Sequence, residues 1–468
     1  MFRSIKLPPN NTLAGGSLDR PLQTSEGAHR SERKSHRIDD IEVLRAVAVL
    51  FVIFHHSHGF LITWPNRPLD FFYKYFNLST GVNIFFGVSG FVIARSILLP
   101  LLKSGSHRGF ADITLSFWMR RAWRLLPSAW LWLVLIQLAS IYLNESNAFM
   151  DARTNFGAME AGLLNVANFR FADSFFKYQY GASLPYWSLS LEEQFYFLFP
   201  ILIFVSRRHI AYVAAGLIAL QWAFQGAVYP ILMHAIATDG LLFGVLIAIW
   251  SAQKSGDGAK PRHSRKARTG IMIAAWGLLV LLAGATAENI GAVAYHPAPV
   301  TIICTMLVLI ASFDQDYFLP PGALKRAMIW IGSRSYALYL IHIPAFCLTR
   351  EIWFRLEPAG TAFGGTFTLR FTLTALILLA GLSELNYRFV EHPLRVRGAK
   401  IAERIRLRRT VAASQGEGRS RWLLAAMGLI WACTLVIAET GRRGLLADTA
   451  AQPVRSSQEL TIGAIPNT

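Results

Sequence analysis

The chain has 468 residues, 53% of them hydrophobic and only 16% charged, with a mean hydropathy of +0.37. Soluble domains carry about a quarter charged residues, so a water-soluble globular protein is excluded; repeated apolar stretches near 20 residues mark a polytopic membrane protein. The net charge of +18 does not point to nucleic acid, because the basic residues sit in short loops between apolar runs.

Residues 1–37 hold scattered Gly, Pro, Ser, Lys and Arg without an apolar core, and are expected to be a disordered tail rather than a cleavable signal. Eleven spans are predicted after it: about 41–62, 78–102, 126–143, 186–206, 210–226, 228–251, 270–286, 297–313, 329–349, 366–390 and 422–440. The predicted fold is therefore all-α, a polytopic membrane helical bundle of about 11 transmembrane helices. With the N-terminus in the cytoplasm, inner segments hold 31 Lys and Arg and outer segments 10. That asymmetry predicts an N-terminus inside and a C-terminus outside. A basic linker over 397–421, an extra helix at 422–440 and a short outer tail at 441–468 complete the layout.

The first span, IEVLRAVAVLFVIFHHSHGFLI, carries Arg45, His55, His56 and His58. Ionisable groups at membrane depth are costly and mark candidate functional sites. Arg45 and His56 are eleven residues apart, which on a helix returns to within roughly 20° of one face, about 16 Å further along. His55 falls roughly 80° off that face. A metal site built from the three histidines is not expected, because spacing of one and three residues splays the rings.

The second span contains VNIFFGVSGFVIARS, whose glycines Gly81, Gly87 and Gly90 suit close helix packing. Then comes FWMRRAWRLLPSAW, expected on the cytoplasmic side. Arg121 and Arg124 share a helical face there, and two guanidiniums among aromatic rings can clamp phosphates through paired hydrogen bonds. The outer loop 144–185 is rich in Asn, Phe and Tyr, a composition suited either to a carbohydrate surface or to a lid at the membrane interface.

Span four opens with LPYWSLSLEEQFYFLFP. Ser188, Glu192 and Tyr196 recur at intervals of four on one polar face, which favours Glu192 as the inward carboxylate and leaves Glu193 structural or interfacial. Span nine places Ser335, Tyr339 and His342 on one helical face. In span ten, Glu384 and Arg388 are four apart and are expected to neutralise each other. The three cysteines, Cys304, Cys347 and Cys433, lie in apolar stretches and read as core residues.

These segments in this order resemble the acyltransferase-3 family of integral-membrane acyltransferases, bacterial sugar and glycan O-acylases with relatives elsewhere. The resemblance covers about residues 36–396, with 38–396 as the membrane acyltransferase domain, and includes SYALYLIH and FVEHPLR. It implies a ten-helix core to which 422–440 adds one span. It implies that Arg45 and His56 are needed for activity, and that Arg121 and Arg124 form an element engaging the acyl-CoA donor, with acetyl-CoA first among the candidates and no metal. Some members continue into a soluble esterase-like domain. That domain is expected to be missing here, so that a separate esterase-like or glycan-assembly partner outside the membrane would supply any step needing it.

The expected activity is transfer of an acyl group from cytoplasmic acyl-CoA across a bacterial inner membrane to a sugar hydroxyl of a surface or exported glycan such as lipopolysaccharide. In that reading His56 is the base or acyl carrier, Arg45 orients the donor, and Glu192 fixes the imidazole or binds sugar hydroxyls. Ser188, Tyr196, Ser335, Tyr339 and His342 line the acceptor side. The rival reading is a proton-coupled transporter or flippase of a glycan or lipid-linked substrate, with His56, Glu192 and His342 as its relay.

Overall fold

A computed structural model describes residues 37–174, 177–224, 235–254, 264–284 and 297–414. The described residues are helical, with no β-strand among them. The helices are α1 (Asp39–Phe60), α2 (Arg67–Tyr75), α3 (Gly81–Leu102), α4 (His107–Tyr142), α5 (Ala152–Leu163) and α6 (Ala167–Ser174). They continue with α7 (Tyr186–Ser206), α8 (Ile210–Phe224), α9 (Asp239–Lys254), α10 (Arg265–Gly284) and α11 (Pro297–Ser312). Last come α12 (Ala323–Ser333), α13 (Ser335–Leu356), α14 (Thr368–Asn386) and α15 (His392–Ser414).

Among the described residues, six helical stretches are long and apolar enough to cross a membrane: Asp39–Phe60, Leu78–Leu102, His107–Tyr142, Tyr186–Phe224, Arg265–Gly284 and Gly365–Arg406. Asp239–Gln253 and Ala298–Ser312 are shorter apolar helices. The expected multi-pass bundle is present; of the eleven expected spans, 422–440, the start of 228–251 and the last two residues of 210–226 and of 270–286 lie outside the described residues, as do the tail 1–36, the end of the linker 397–421, the tail 441–468 and Cys433. Large apolar side chains face outward on these helices, among them Val134, Leu138 and Ile141 on α4 and Leu373, Leu376 and Ile377 on α14. Such a surface is costly in water and neutral against lipid.

Three stretches differ from the expectation. The basic segment expected on the cytoplasmic side, ahead of the span at 126–143, is continuous with that span: both belong to α4, a single helix of 36 residues with Pro127 inside it. Its N-cap is Ser106, whose Oγ accepts a hydrogen bond from the Gly109 amide at 3.0 Å. The span expected at 329–349 is divided at Arg334 into α12 and α13. Beyond α14 the chain stays helical through a π turn at Tyr387–Glu391 and runs on as α15. Helix α15 lies along the first half of α4, close enough that a Cβ on Gly398 would come within 2.3 Å of Trp123 Cβ. This neighbour gives the basic first half of α4 a packed surface, so it continues as helix.

Helix α3 runs through the middle of the bundle, with most of its residues buried. Its glycines allow a backbone crossing against α9: a Cβ on Gly90 would sit 1.9 Å from the Leu241 carbonyl oxygen, and one on Gly244 2.3 Å from that of Gly87. Small residues permit such approach in membranes, where van der Waals packing drives helix association. At the end of the bundle where α1 begins, Asp40 accepts the Gln315 and Tyr317 amides at 3.2 and 2.9 Å, and Asp316 holds Arg268 at 2.6 Å and also Lys325. At the opposite end, Glu351 accepts the backbone amides of Glu145 and Ser146 at 3.0 and 2.9 Å and the Ser146 hydroxyl at 2.5 Å. The buried carboxylates Asp40 and Glu351 pin the two ends by hydrogen bonds to loop amides. Cys304 and Cys347 are buried and unpaired, as core residues.

Candidate active site

A cleft with an accessible volume of about 70 Å³, partly open to the outside, lies between α1, α3, α4, α7 and α13. Seven of the ten residues singled out in the sequence line it directly, and an eighth, Arg45, does so from the first half of α1: Arg121, Arg124, Ser188, Glu192, Tyr196, Ser335 and Tyr339. Arg121 and Arg124 reach it because they are three apart on the continuous helix α4. Ser188, Glu192 and Tyr196 reach it because α7 keeps its four-residue periodicity.

Charge in the cleft wall is unbalanced, with three guanidiniums and the single carboxylate of Glu192. Glu192 Oε1 accepts hydrogen bonds from the hydroxyls of both Ser89 and Tyr196. The Arg121 guanidinium lies 4.9 Å from the centre of the Tyr196 ring and 5.7 Å from that of Phe117, two cation–π contacts that hold it at the cleft wall. Arg45 is near its own helix neighbour Glu42, 3.8 Å away. Two polar atoms of the wall are buried without a hydrogen-bond partner: Arg124 Nε and Ser335 Oγ. A buried donor left unpaired costs about 1–3 kcal/mol; in a cleft rich in fixed positive charge, such groups suit an anionic ligand with several acceptor oxygens.

Toward the far end of the cleft, Ser188 Oγ and Tyr339 OH share a 2.6 Å hydrogen bond, and Phe85 packs edge-on against Tyr339. The Tyr339 ring also touches the His342 ring, with centroids 5.8 Å apart. His342 is fully buried, and its Nε2 lies 3.1 Å from Nδ1 of His56. The two predicted histidines are thus partners, brought together from α1 and α13, 286 residues apart in sequence. They do not line the cleft; the contact with it runs from His342 to Tyr339, which does. His55 and His58 diverge: His55 meets His56 edge-on, while His58 lies 3.5 Å from Asp70 of α2. The helix ends just there, at Gly59, whose φ of 90° breaks α1.

Glu192 takes its hydrogen bonds from Ser89 and Tyr196, and the partner that the fold gives His56 is His342. Sequence reasoning passed over Ser89, which sits in a glycine-rich stretch read as packing. Its signal was its position one helical turn after Phe85, on the face away from Gly87 and Gly90. Glu384 is paired as expected with Arg388, at 2.5 Å, and also with Arg334 at 2.8 Å.

A membrane bundle with a cationic cleft and a buried imidazole pair near it has the form of a membrane enzyme. Residues 38–382 match the model of the acyltransferase domain, Acyl_transf_3, and the chain belongs to that acyltransferase family. It is similar to the peptidoglycan O-acetyltransferase OatA of Listeria monocytogenes, 25% identical over 394 residues, covering 79% of this chain and 58% of that protein. It is also similar to YrhL of Bacillus subtilis, provisionally named a peptidoglycan O-acetyltransferase, at 27% identity over 398 residues, 80% of this chain and 57% of that one. A provisionally named O-acetyltransferase of Staphylococcus aureus is 24% identical over 387 residues, 79% of this chain and 59% of its own. The chain thus spans somewhat under three fifths of the length of these relatives. No solved structure matches it.

Proposed function

We propose that this membrane acyltransferase moves an acyl group, acetyl by the names of its relatives, from acyl-CoA to a hydroxyl of a cell-surface glycan. The observation that carries the reading is the convergence of Arg45, Arg121 and Arg124 in one cleft that ends, one tyrosine ring away, at the His56–His342 pair. The phosphates of CoA would take the guanidiniums and the unpaired Arg124 Nε, with Ser335 Oγ a further donor. The pantetheine arm would run along α3 and α7 toward Tyr339. Eleven residues of helix between Arg45 and His56, about 16 Å, suit the distance from a charged head to a thioester.

His56 would then act as the base. It takes the proton from the acceptor hydroxyl as the oxygen attacks the thioester carbonyl. The new C–O bond forms, the C–S bond breaks, and His56 returns the proton to the departing thiolate, so the reaction is proton-neutral overall. Ser188, Tyr339 and Tyr196 would hold acceptor or thioester oxygens, and Glu192 would fix the Ser89 and Tyr196 hydroxyls among the arginines. The peptidoglycan named for two relatives is the first acceptor to try. The cytoplasm would supply the donor, with the N-terminus on that side of the bacterial inner membrane. A separate esterase-like or glycan-assembly protein outside is the partner this arrangement would use.

The test is purified protein in lipid nanodiscs with acetyl-CoA and peptidoglycan fragments, following free CoA and ester together. The wild type should release CoA only when the acceptor is present, and His56→Ala should release none while remaining folded. An active His56→Ala protein would falsify the base assignment.

A further inference from the structure

We infer that His342 is a positioning residue, which fixes the tautomer of His56 so that its Nε2 is the bare, basic nitrogen. The inference rests on the proposed role of His56 and adds which of its nitrogens works and why.

The argument follows from who can accept. His342 Nδ1 lies 2.8 Å from the Tyr339 carbonyl oxygen. A carbonyl oxygen has no proton to give, so the proton is on His342 Nδ1. In a neutral ring the other nitrogen, Nε2, is then a bare acceptor, and it faces His56 Nδ1 at 3.1 Å. His56 Nδ1 also lies 3.1 Å from the Val52 carbonyl oxygen, one turn back on α1. Both neighbours accept, so His56 Nδ1 carries the proton and divides it between them. With one proton on each ring, all three contacts are satisfied, and His56 Nε2 is left with a lone pair. The opposite tautomer of His56 would set a bare Nδ1 against a carbonyl oxygen and a bare Nε2, two repulsive contacts where there are now hydrogen bonds.

The same geometry serves the reaction step. When His56 Nε2 takes the hydroxyl proton, the ring becomes cationic and its Nδ1–H strengthens as a donor to both acceptors. His342 is fully buried and is held through its own Nδ1, so it needs no rearrangement at that moment. The neutral imidazole of His342 takes the place that a carboxylate holds in other base–orienter pairs.

Two variants separate this role from general structural support. His342→Phe keeps a ring of similar size and removes the acceptor; His342→Gln places an amide oxygen within reach of His56 Nδ1. His342→Phe should lower kcat about 10- to 100-fold, the range expected for a lost hydrogen bond to a developing charge. The KM for acetyl-CoA should not change, and His342→Gln should recover most of the loss. A folded His342→Phe protein with kcat within about twofold of wild type, or a loss seen only in KM, overturns the inference. So does a His342→Gln protein as impaired as His342→Phe. His56→Ala distinguishes the two levels: if it is inactive while His342→Phe is not, the base reading stands and this one falls. Nitrogen-15 spectra of the wild type give a check that needs no variant. His56 Nδ1 should appear as the protonated nitrogen and Nε2 as the bare one, and the reverse assignment refutes the inference.

Discussion

The same substitution, glycine to alanine, should act with opposite sign at two places in this bundle. At Gly90 an added Cβ would lie 1.9 Å from the Leu241 carbonyl oxygen and 2.7 and 2.9 Å from the Leu241 carbonyl carbon and Cα. All three are backbone atoms, which cannot rotate away, and carbon needs about 3.3 Å from such an oxygen. Helices α3 and α9 must therefore separate by about 1 Å or more along their crossing, opening gaps on both sides. Overpacking of a well-filled core costs about 1–3 kcal/mol, and a backbone clash belongs at the upper end. At Gly216, in α8, the added Cβ meets nothing within 4 Å, and alanine there gains about 0.5–1 kcal/mol from helix propensity. Thermal unfolding of the two purified variants in one detergent measures the difference directly: Gly90→Ala should melt below wild type and Gly216→Ala at or above it. Because α3 carries Ser89 to Glu192, Gly90→Ala should also lose transferase activity below its melting temperature. Equal melting temperatures for Gly90→Ala and wild type would refute the account of the α3–α9 crossing.

Arg124→Ala should raise the KM for acyl-CoA by about 10- to 100-fold, the loss of a charged hydrogen bond, with kcat recovered at saturating donor; a steady-state titration showing an unchanged KM removes the phosphate role. Glu351→Gln keeps the size of the side chain but turns an amide NH2 toward backbone N–H groups. It should cost about 1–3 kcal/mol and speed proteolysis within residues 144–151, while equal cleavage rates would mean that the loop is held by other contacts. Sidedness is testable with exposed arginines at opposite ends of the bundle. In intact cells a membrane-impermeant maleimide should label Arg153→Cys and leave Arg397→Cys untouched, and the reverse pattern inverts the proposed orientation.

Much of the site was legible in one dimension because helices are periodic. Ser188, Glu192 and Tyr196, at intervals of four, do share a wall of the cleft, as do Arg121 and Arg124 at an interval of three. The cost of charge in lipid was enough to single out Arg45, His56 and Glu192 before any packing was known. What periodicity does not carry is which helix a face meets. The shared face of Ser335, Tyr339 and His342 predicts that His342 lines the acceptor path, but the packing of α1 against α13 sets His56 beside it. The sequence offers Glu192 either the His56 imidazole or sugar hydroxyls as partners; in the fold its Oε1 accepts from the hydroxyls of Ser89, on α3, and Tyr196. The break at Arg334 and the continuous α4 escaped notice because each depends on a neighbour.

By itself, the sequence determined that the chain is a helical membrane protein, since in lipid every backbone hydrogen bond must be made internally and a helix does so within each segment. It also determined which polar groups each helix carries and on which face. Only the tertiary structure decided the pairing of those faces, because an arginine, a carboxylate or an imidazole is chemically defined by what stands 3 Å from it, and those neighbours come from helices far away in the chain.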